Sequence, residues 1–196
     1  MRPGQYQVTE VVHSVLSSYI RPGDICIDAT CGKGLDTLFL AKCVGKQGCL
    51  YGFDIQKEAI DATDDLLKEA GQREQAVLMQ VGHETMKKQL LEQDGEIAGH
   101  VTAAIFNFGY LPGGDHAVHT TAETSLQAIR QCQELLAVGG IIALCIYSGG
   151  DTGYQERDAI LEYVQQLDQK QWLVLKLDYF NRKNNPPIPV FVIKLR

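Results

Sequence analysis

The chain has 196 residues, 45% of them hydrophobic and 21% charged, with a net charge of −6. That length fits one domain able to bury about 70% of its unfolded surface without metal or disulfide staples, and no apolar run approaches the roughly 20 residues of a membrane span. The acidic balance excludes chain-wide attraction to nucleic acid, so any RNA contact must rely on a local basic patch.

Val8, Val11, Val12, Val15 and Leu16 recur at helical spacing and predict an opening helix from residue 5 to about 19, whose apolar face must cover a sheet. The amphipathic pattern includes Glu10 and His13 and leaves no signal-peptide core, so the expected location is the cytoplasm. Pro22-Gly23 stops this helix ahead of a strand over 24–28. A glycine turn and a helix to about Val44 lead to strand two, Cys49 to Phe53. The alternation continues with a helix from Lys57 to Ala70, strand three from Ala76 to Gln80, a helix over 85–93 and strand four from Val101 to Phe106. After a long glycine-rich loop come a helix over 121–137, strand five from Gly140 to Tyr147, a helix from Tyr154 to Leu167, strand six from Trp172 to Phe180 and a closing strand from Pro187 to Leu195. Such alternation predicts a parallel sheet covered on both faces, with ligands at the carboxyl ends of the strands. The connector Asn181 to Pro186 is too short for a parallel crossover, so the last two strands must be antiparallel.

The most informative stretch is Asp28-Ala29-Thr30-Cys31-Gly32-Lys33-Gly34-Leu35-Asp36-Thr37. Gly32 and Gly34 allow positive φ and let a ligand lie against backbone in front of a helix N-terminus, which implies a nucleotide-like ligand. A pyrophosphate-binding turn usually carries a third glycine, where Thr37 stands here. A carboxylate at Asp28 would repel a pyrophosphate but suits the ammonium and sulfonium of S-adenosylmethionine. Asp54, 20 residues beyond Gly34, ends strand two, where a carboxylate can accept both ribose hydroxyls. Two acidic strand ends around a two-glycine turn look like a class I methyltransferase, and the expected fold is accordingly α/β, Rossmann-like, with a seven-stranded, mostly parallel sheet and an antiparallel last strand. The bland alternative is an ordinary βα turn with two helix-capping aspartates.

Cys26, Cys31, Cys43, Cys49, Cys132 and Cys145 form no C-x-x-C pair and read as reduced, mostly buried thiols. Cys31, inside the glycine turn, is either a small turn residue or a thiol activated by the helix N-terminus. His83, His116 and His119 lack metal-ligand spacing, so no metal site is expected. Lys87 with Lys88 reads as solvated surface, whereas Arg182 with Lys183, beside Asn184-Asn185-Pro186-Pro187, could meet phosphates while the amides bond unstacked bases. A proline-stiffened hairpin with solvated charges is the alternative for that segment.

Strand four runs into Asn107-Phe108-Gly109-Tyr110-Leu111-Pro112-Gly113-Gly114-Asp115-His116 at the switch point, facing the glycine turn. Asn107 to Tyr110 is similar to the Asn/Asp-Pro-Pro-Tyr/Phe motif of amine-methylating enzymes, with Phe108-Gly109 in place of the prolines. In that motif the amide oxygen accepts a hydrogen bond from the target amine and the aromatic ring packs on the acceptor base. Because a free alkylamine has a pKa near 10, Asp115 is the candidate to attract and deprotonate it, with His116 beside it; the alternative is that Asp115 caps the loop or the following helix and the amine loses its proton in solvent before binding.

Together with Asp28-Ala29-Thr30, Gly34-Leu35-Asp36-Thr37, Phe53-Asp54-Ile55-Gln56 and His83-Glu84, these segments resemble a bacterial family first described as rRNA methylases and understood as the tRNA 5-aminomethyl-2-thiouridine methyltransferases. The resemblance covers essentially the whole chain, with two departures: Lys33 replaces a usual asparagine, and Gly150 stands where relatives often have histidine. It implies methyl transfer from S-adenosylmethionine to the exocyclic aminomethyl nitrogen at the wobble position of a tRNA anticodon, by a homodimer. The candidate site residues are Asn107, Tyr110, Asp115 and His116 for catalysis. For the cofactor they are Asp28, Thr30, Gly32, Gly34, Asp36, Thr37, Asp54, Gln56, His83 and Asn107. For the substrate they are Tyr110, Pro112, Gly113, Arg182, Lys183, Asn184 and Asn185. Two other readings stay open: a methyltransferase for another RNA base, a small amine or a protein side chain, and a module that senses S-adenosylmethionine without turnover.

Overall fold

The computed structural model describes residues 7–108, 120–147 and 150–196, without the side chains of 150–153. Its elements run α1 (Val8–Leu16), β1 (Ile25–Asp28), α2 (Leu35–Val44), β2 (Cys49–Phe53), α3 (Lys57–Glu69), β3 (Ala76–Met79), α4 (Met86–Gln93), β4 (Val101–Phe108), α5 (Ala122–Leu135), β5 (Leu136–Ile146), α6 (Gly150–Gln165), β6 (Trp172–Lys176) and β7 (Ile188–Lys194). The strands form one sheet in the order β3-β2-β1-β4-β5-β7-β6. β1 to β5 are parallel, and β7 inserts antiparallel between β5 and β6, as the short connector requires. The order reverses between β1 and β4, which places a ligand crevice at their carboxyl ends.

Period-2 alternation on buried strands divides the core into two layers. Ile27, Phe53, Phe106, Ile142, Leu144 and Val192 pack with Met86, Leu90, Ile129, Cys132 and Ile160 of α4, α5 and α6. Cys26, Leu50, Ala103, Ile105, Ala143 and Phe191 pack with Val12, Leu16, Leu40, Val44 and Leu67 of α1, α2 and α3. Among the described residues no helix is long and apolar enough to cross a membrane.

Several boundaries differ from the sequence expectation, α6 among them, which begins at Gly150 rather than Tyr154. α1 ends earlier than expected, at Leu16, because Ser17 to Ile20 close with turn bonds such as Ile20 N–H to the Leu16 carbonyl at 3.0 Å; its expected start at residue 5 lies outside the described residues. β4 continues to Phe108, where it still pairs with Ile146, so Asn107 stands on a strand rather than in a loop. β5 is assigned from Leu136, yet its register jumps from Leu136 opposite Val101 to Ile141 opposite Ala103, so regular pairing begins next to the expected start at Gly140. β6 stops at Lys176, four residues before the expected Phe180, whose side chain is 96% exposed and has no sheet to pack on.

Gly34 shows why the turn before α2 uses glycine. Its φ is +77°, and a Cβ there would come within 2.9 Å of the Thr63 Cα on α3. Both the left-handed backbone and the α2–α3 approach therefore exclude a side chain. Gly34→Ala is expected to lose about 1–3 kcal/mol of stability, read as a lower urea midpoint at unchanged slope.

Candidate functional site

At the carboxyl end of β1 the chain makes its turn around a buried carboxylate. Asp28 has no exposure. Its Oδ1 accepts the Thr30 N–H at 3.1 Å, and its Oδ2 accepts the Thr37 hydroxyl at 2.6 Å, which ties the strand end to the first turn of α2. Burial, and then the nearby Asp36 carboxylate, push Asp28 up to about 7. Asp28 therefore holds the turn from behind rather than lying on its open surface. Cys31 is buried beside it, and burial followed by the Asp28 charge drives its thiol well above the usual range. Of the two readings of Cys31, the small turn residue holds, since a thiol kept protonated is a poor nucleophile.

Asp54, at the end of β2, closes the other side of the turn. Its Oδ2 accepts the Gly32 N–H at 2.9 Å and its Oδ1 the Gln56 N–H at 2.9 Å. Each carboxylate oxygen has a second lone pair, so the half-buried group retains acceptor capacity for hydroxyls. Beside it Ile55 is 61% exposed and, across the turn, Leu35 is 66% exposed, an apolar rim that sequence reasoning left unassigned. The available signal was an apolar residue directly after the acidic strand end.

Asn107 comes from β4. By alternation it shares the face of Ala103 and Ile105, the face covered by α1 and α2. Its backbone N–H donates to the Thr30 Oγ1 at 2.8 Å, and its Nδ2 donates to the Asp36 Oδ2 at 2.7 Å. The Asp36 Oδ1 lies 2.5 Å from the His13 Nε2. The side chain of Asp36, expected to face a cofactor, is thus shared between α1 and β4. His13 was not singled out from the sequence, where it was one polar residue on an amphipathic helix.

His83 is buried, and its Nδ1 lies 3.2 Å from the Ala29 carbonyl. Burial lowers its pKa, so the ring is neutral at pH 7 and donates its Nδ1–H to that carbonyl. It braces the strand end from the side of Phe106, whose ring centroid is 6.0 Å away.

Thus Asp28, Thr30, Gly32, Gly34, Asp36, Thr37, Asp54, Gln56 and Asn107 gather at the ends of β1, β2 and β4, with His83 behind them. The segment Arg182 to Asn185 stands apart from this cluster. Ile188 pairs with Ile146 and Asn107 with Cys145, so the segment lies at the same end of the sheet. β7 is three strand positions from β1, about 14 Å across the sheet. There Arg182 and Asn185 line a cleft of about 120 Å³ with Arg157, Tyr179 and Pro187, while Lys183 and Asn184 are exposed. Asn185 adopts φ +46° and donates to the Tyr154 hydroxyl at 3.3 Å. Tyr110, Pro112, Gly113, Asp115 and His116 lie outside the described residues. No group of three potential metal ligands occurs among the described residues.

The raised Asp28 gives a pH test. Folded chain keeps a proton that unfolded chain releases from about pH 4 upward, so this group's contribution to stability falls as pH rises from about 4 to 7. The limit is about tenfold in the folding constant per pH unit. Asp28→Asn removes that slope, and its stability relative to the parent should rise across the window in urea titrations.

Residues 50–193 match the family described as "Putative rRNA methylase". The chain is 35% identical over 199 aligned residues, 97% of its own length and 70% of the relative's, to the chloroplastic tRNA (mnm(5)s(2)U34)-methyltransferase of Arabidopsis thaliana. Its fold superposes on a "putative rRNA-methylase" from Clostridium thermocellum with TM-score 0.89 at 41% identity, covering 96% of this chain and 97% of that one. It also superposes on SMU.1697c, a "putative methyltransferase" from Streptococcus mutans in complex with SAH, with TM-score 0.83 at 35% identity over 96% and 98% of the two chains. A two-glycine turn between acidic strand ends, an asparagine at the end of β4 and these matches along nearly the full length agree, and the chain belongs to the rRNA methylase family.

Proposed function

We propose that the chain methylates the aminomethyl nitrogen of 5-aminomethyl-2-thiouridine at the wobble position of tRNA, with S-adenosylmethionine as methyl donor. The observation that carries this reading is Asn107, an amide held on a rigid strand end beside the glycine turn, with its N–H side committed to Asp36. Support comes from the Arabidopsis relative named for this wobble nucleoside.

The donor set fits S-adenosylmethionine. Carboxylate oxygens and backbone line the turn, and its one basic side chain, Lys33, is exposed. Such a set favours a cation with hydroxyls over a pyrophosphate. Asp54 would take the ribose hydroxyls, Ile55 and Leu35 would cover the adenine, and Asp28 would hold the turn in shape from behind. When bound, the cofactor supplies a methyl group on a sulfonium centre. Asn107 accepts an N–H from the amine and so turns the nitrogen lone pair toward the turn. The amine must arrive neutral, which at pH 7 is a small fraction of a group with pKa near 10.

On an acidic chain, the RNA would be held locally. Arg182 at the cleft beside β7 and the exposed Lys183 supply charge, and Asn184 and Asn185 supply amides for unpaired bases. A homodimer and a cytoplasmic location belong to the same reading.

Mass spectrometry of tRNA nucleosides tests it. A strain lacking the chain should accumulate 5-aminomethyl-2-thiouridine and lose its methylated form. Purified parent with S-adenosylmethionine should restore the methylated nucleoside, and Asn107→Ala should fail to do so. Unchanged wobble nucleosides in that strain would overturn the reading. For the RNA face, Arg182→Ala with Lys183→Ala should weaken tRNA binding and flatten its salt dependence by up to about two phosphate contacts. An identical salt slope would leave both residues as solvated surface.

A further inference from the structure

His13 reaches the proposed acceptor site through one carboxylate. Its ring stacks on Phe39 of α2, with centroids 3.8 Å apart and planes 7° from parallel, which fixes the direction in which Nε2 points. That nitrogen meets the Asp36 Oδ1 at 2.5 Å, while the Asp36 Oδ2 takes the Asn107 Nδ2 at 2.7 Å. The carboxylate is 10% exposed and the His13 side chain 21% exposed, so water competes little for either bond.

An ionised carboxylate can only accept hydrogen bonds. Both neighbours must therefore turn N–H groups toward it, His13 its Nε2–H and Asn107 its NH₂. The two ends of an amide are opposite in character, so binding the NH₂ end directs the Asn107 Oδ1 away from Asp36. A flipped amide would instead bring two oxygens with lone pairs together at 2.7 Å. The Asn107 backbone is held as well, by its N–H bond to the Thr30 hydroxyl. Isolated, an asparagine amide offers a donor and an acceptor with similar ease; here one orientation is imposed.

We infer that His13 and Asp36 are a positioning pair, with His13 locking Asp36 and Asp36 locking the Asn107 amide so that its oxygen faces the methyl acceptor as a ready hydrogen-bond acceptor. The inference rests on the amine-methylation reading and moves Asp36 from the cofactor to the acceptor side of the site. Neither residue of the pair touches the reacting atoms. They act through Asn107.

The experiment uses an anticodon stem–loop carrying 5-aminomethyl-2-thiouridine, S-adenosylmethionine labelled in its methyl group, and the full-length chain. Asp36→Asn, whose own amide tolerates either orientation of Asn107, should lower kcat by about 10- to 100-fold, the scale of a misplaced positioning group. Its calorimetric affinity for S-adenosylmethionine should stay within about twofold, since no cofactor contact is removed. His13→Leu should lower kcat by about tenfold, and His13→Gln, which still offers an N–H to Asp36, should recover most of it. In parallel, the Asn107 side-chain amide resonance, assigned by its loss in Asn107→Asp, should shift in Asp36→Asn and His13→Leu and return toward the parent position in His13→Gln. If Asp36→Asn weakens cofactor affinity at unchanged kcat, Asp36 is a cofactor ligand and the inference fails. An amide resonance that moves in neither Asp36→Asn nor His13→Leu overturns it on structural grounds, whatever the substrate. A parent that leaves the stem–loop unmethylated refutes the substrate reading instead, and the resonance then decides the pair by itself.

Discussion

A carboxylate without access to water holds this site together. Asp28 accepts one bond from the turn and one from the first helical turn behind it, and so ties β1, the glycine turn and α2 together. Removing a carboxylate from water favours its protonated form, and neighbouring negative charge adds to that effect. The neighbouring acids repeat the pattern. Asp54 stitches the turn to β2, and Asp36 stitches α2 to β4 and α1. Three carboxylates thus converge at one end of the sheet, partnered mainly by backbone N–H groups and neutral side chains. The arrangement has negative charge in excess, and a cationic methyl donor relieves it where a phosphate would increase it.

Asn107 stands on β4 while that strand is still paired with β5, so its backbone is fixed by the sheet before any loop geometry enters. Sites on strands hold their geometry better than sites on loops. The departure from the two-proline form of the amine-methylating motif therefore matters less for Asn107 than its place in a loop would suggest. Prolines stiffen a loop, whereas here strand pairing and the Thr30 hydroxyl do so. β7 runs antiparallel beside β5, which brings the Asn-Asn-Pro-Pro segment to the same sheet end as the turn.

Much of this was legible in the amino-acid sequence by itself, for local reasons. Strand and helix periods differ, so the alternation announced a parallel sheet. A connector from Asn181 to Pro186 cannot carry a parallel crossover, so it required the antiparallel end. Glycines at 32 and 34 between acidic strand ends identified the turn and, through it, the cofactor side. Only the tertiary structure decided how the acids are used. Asp28 reads the same in the sequence whether buried behind the turn or open in front of it. The bond from His13 to Asp36 spans 23 residues and that from Asn107 to Asp36 spans 71. Their meeting depends on how α1 and α2 dock on the face that Asn107 shares with Ala103 and Ile105. No local pattern encodes that docking, because it is set by the fit of apolar side chains such as Val12, Leu16 and Leu40 against the sheet.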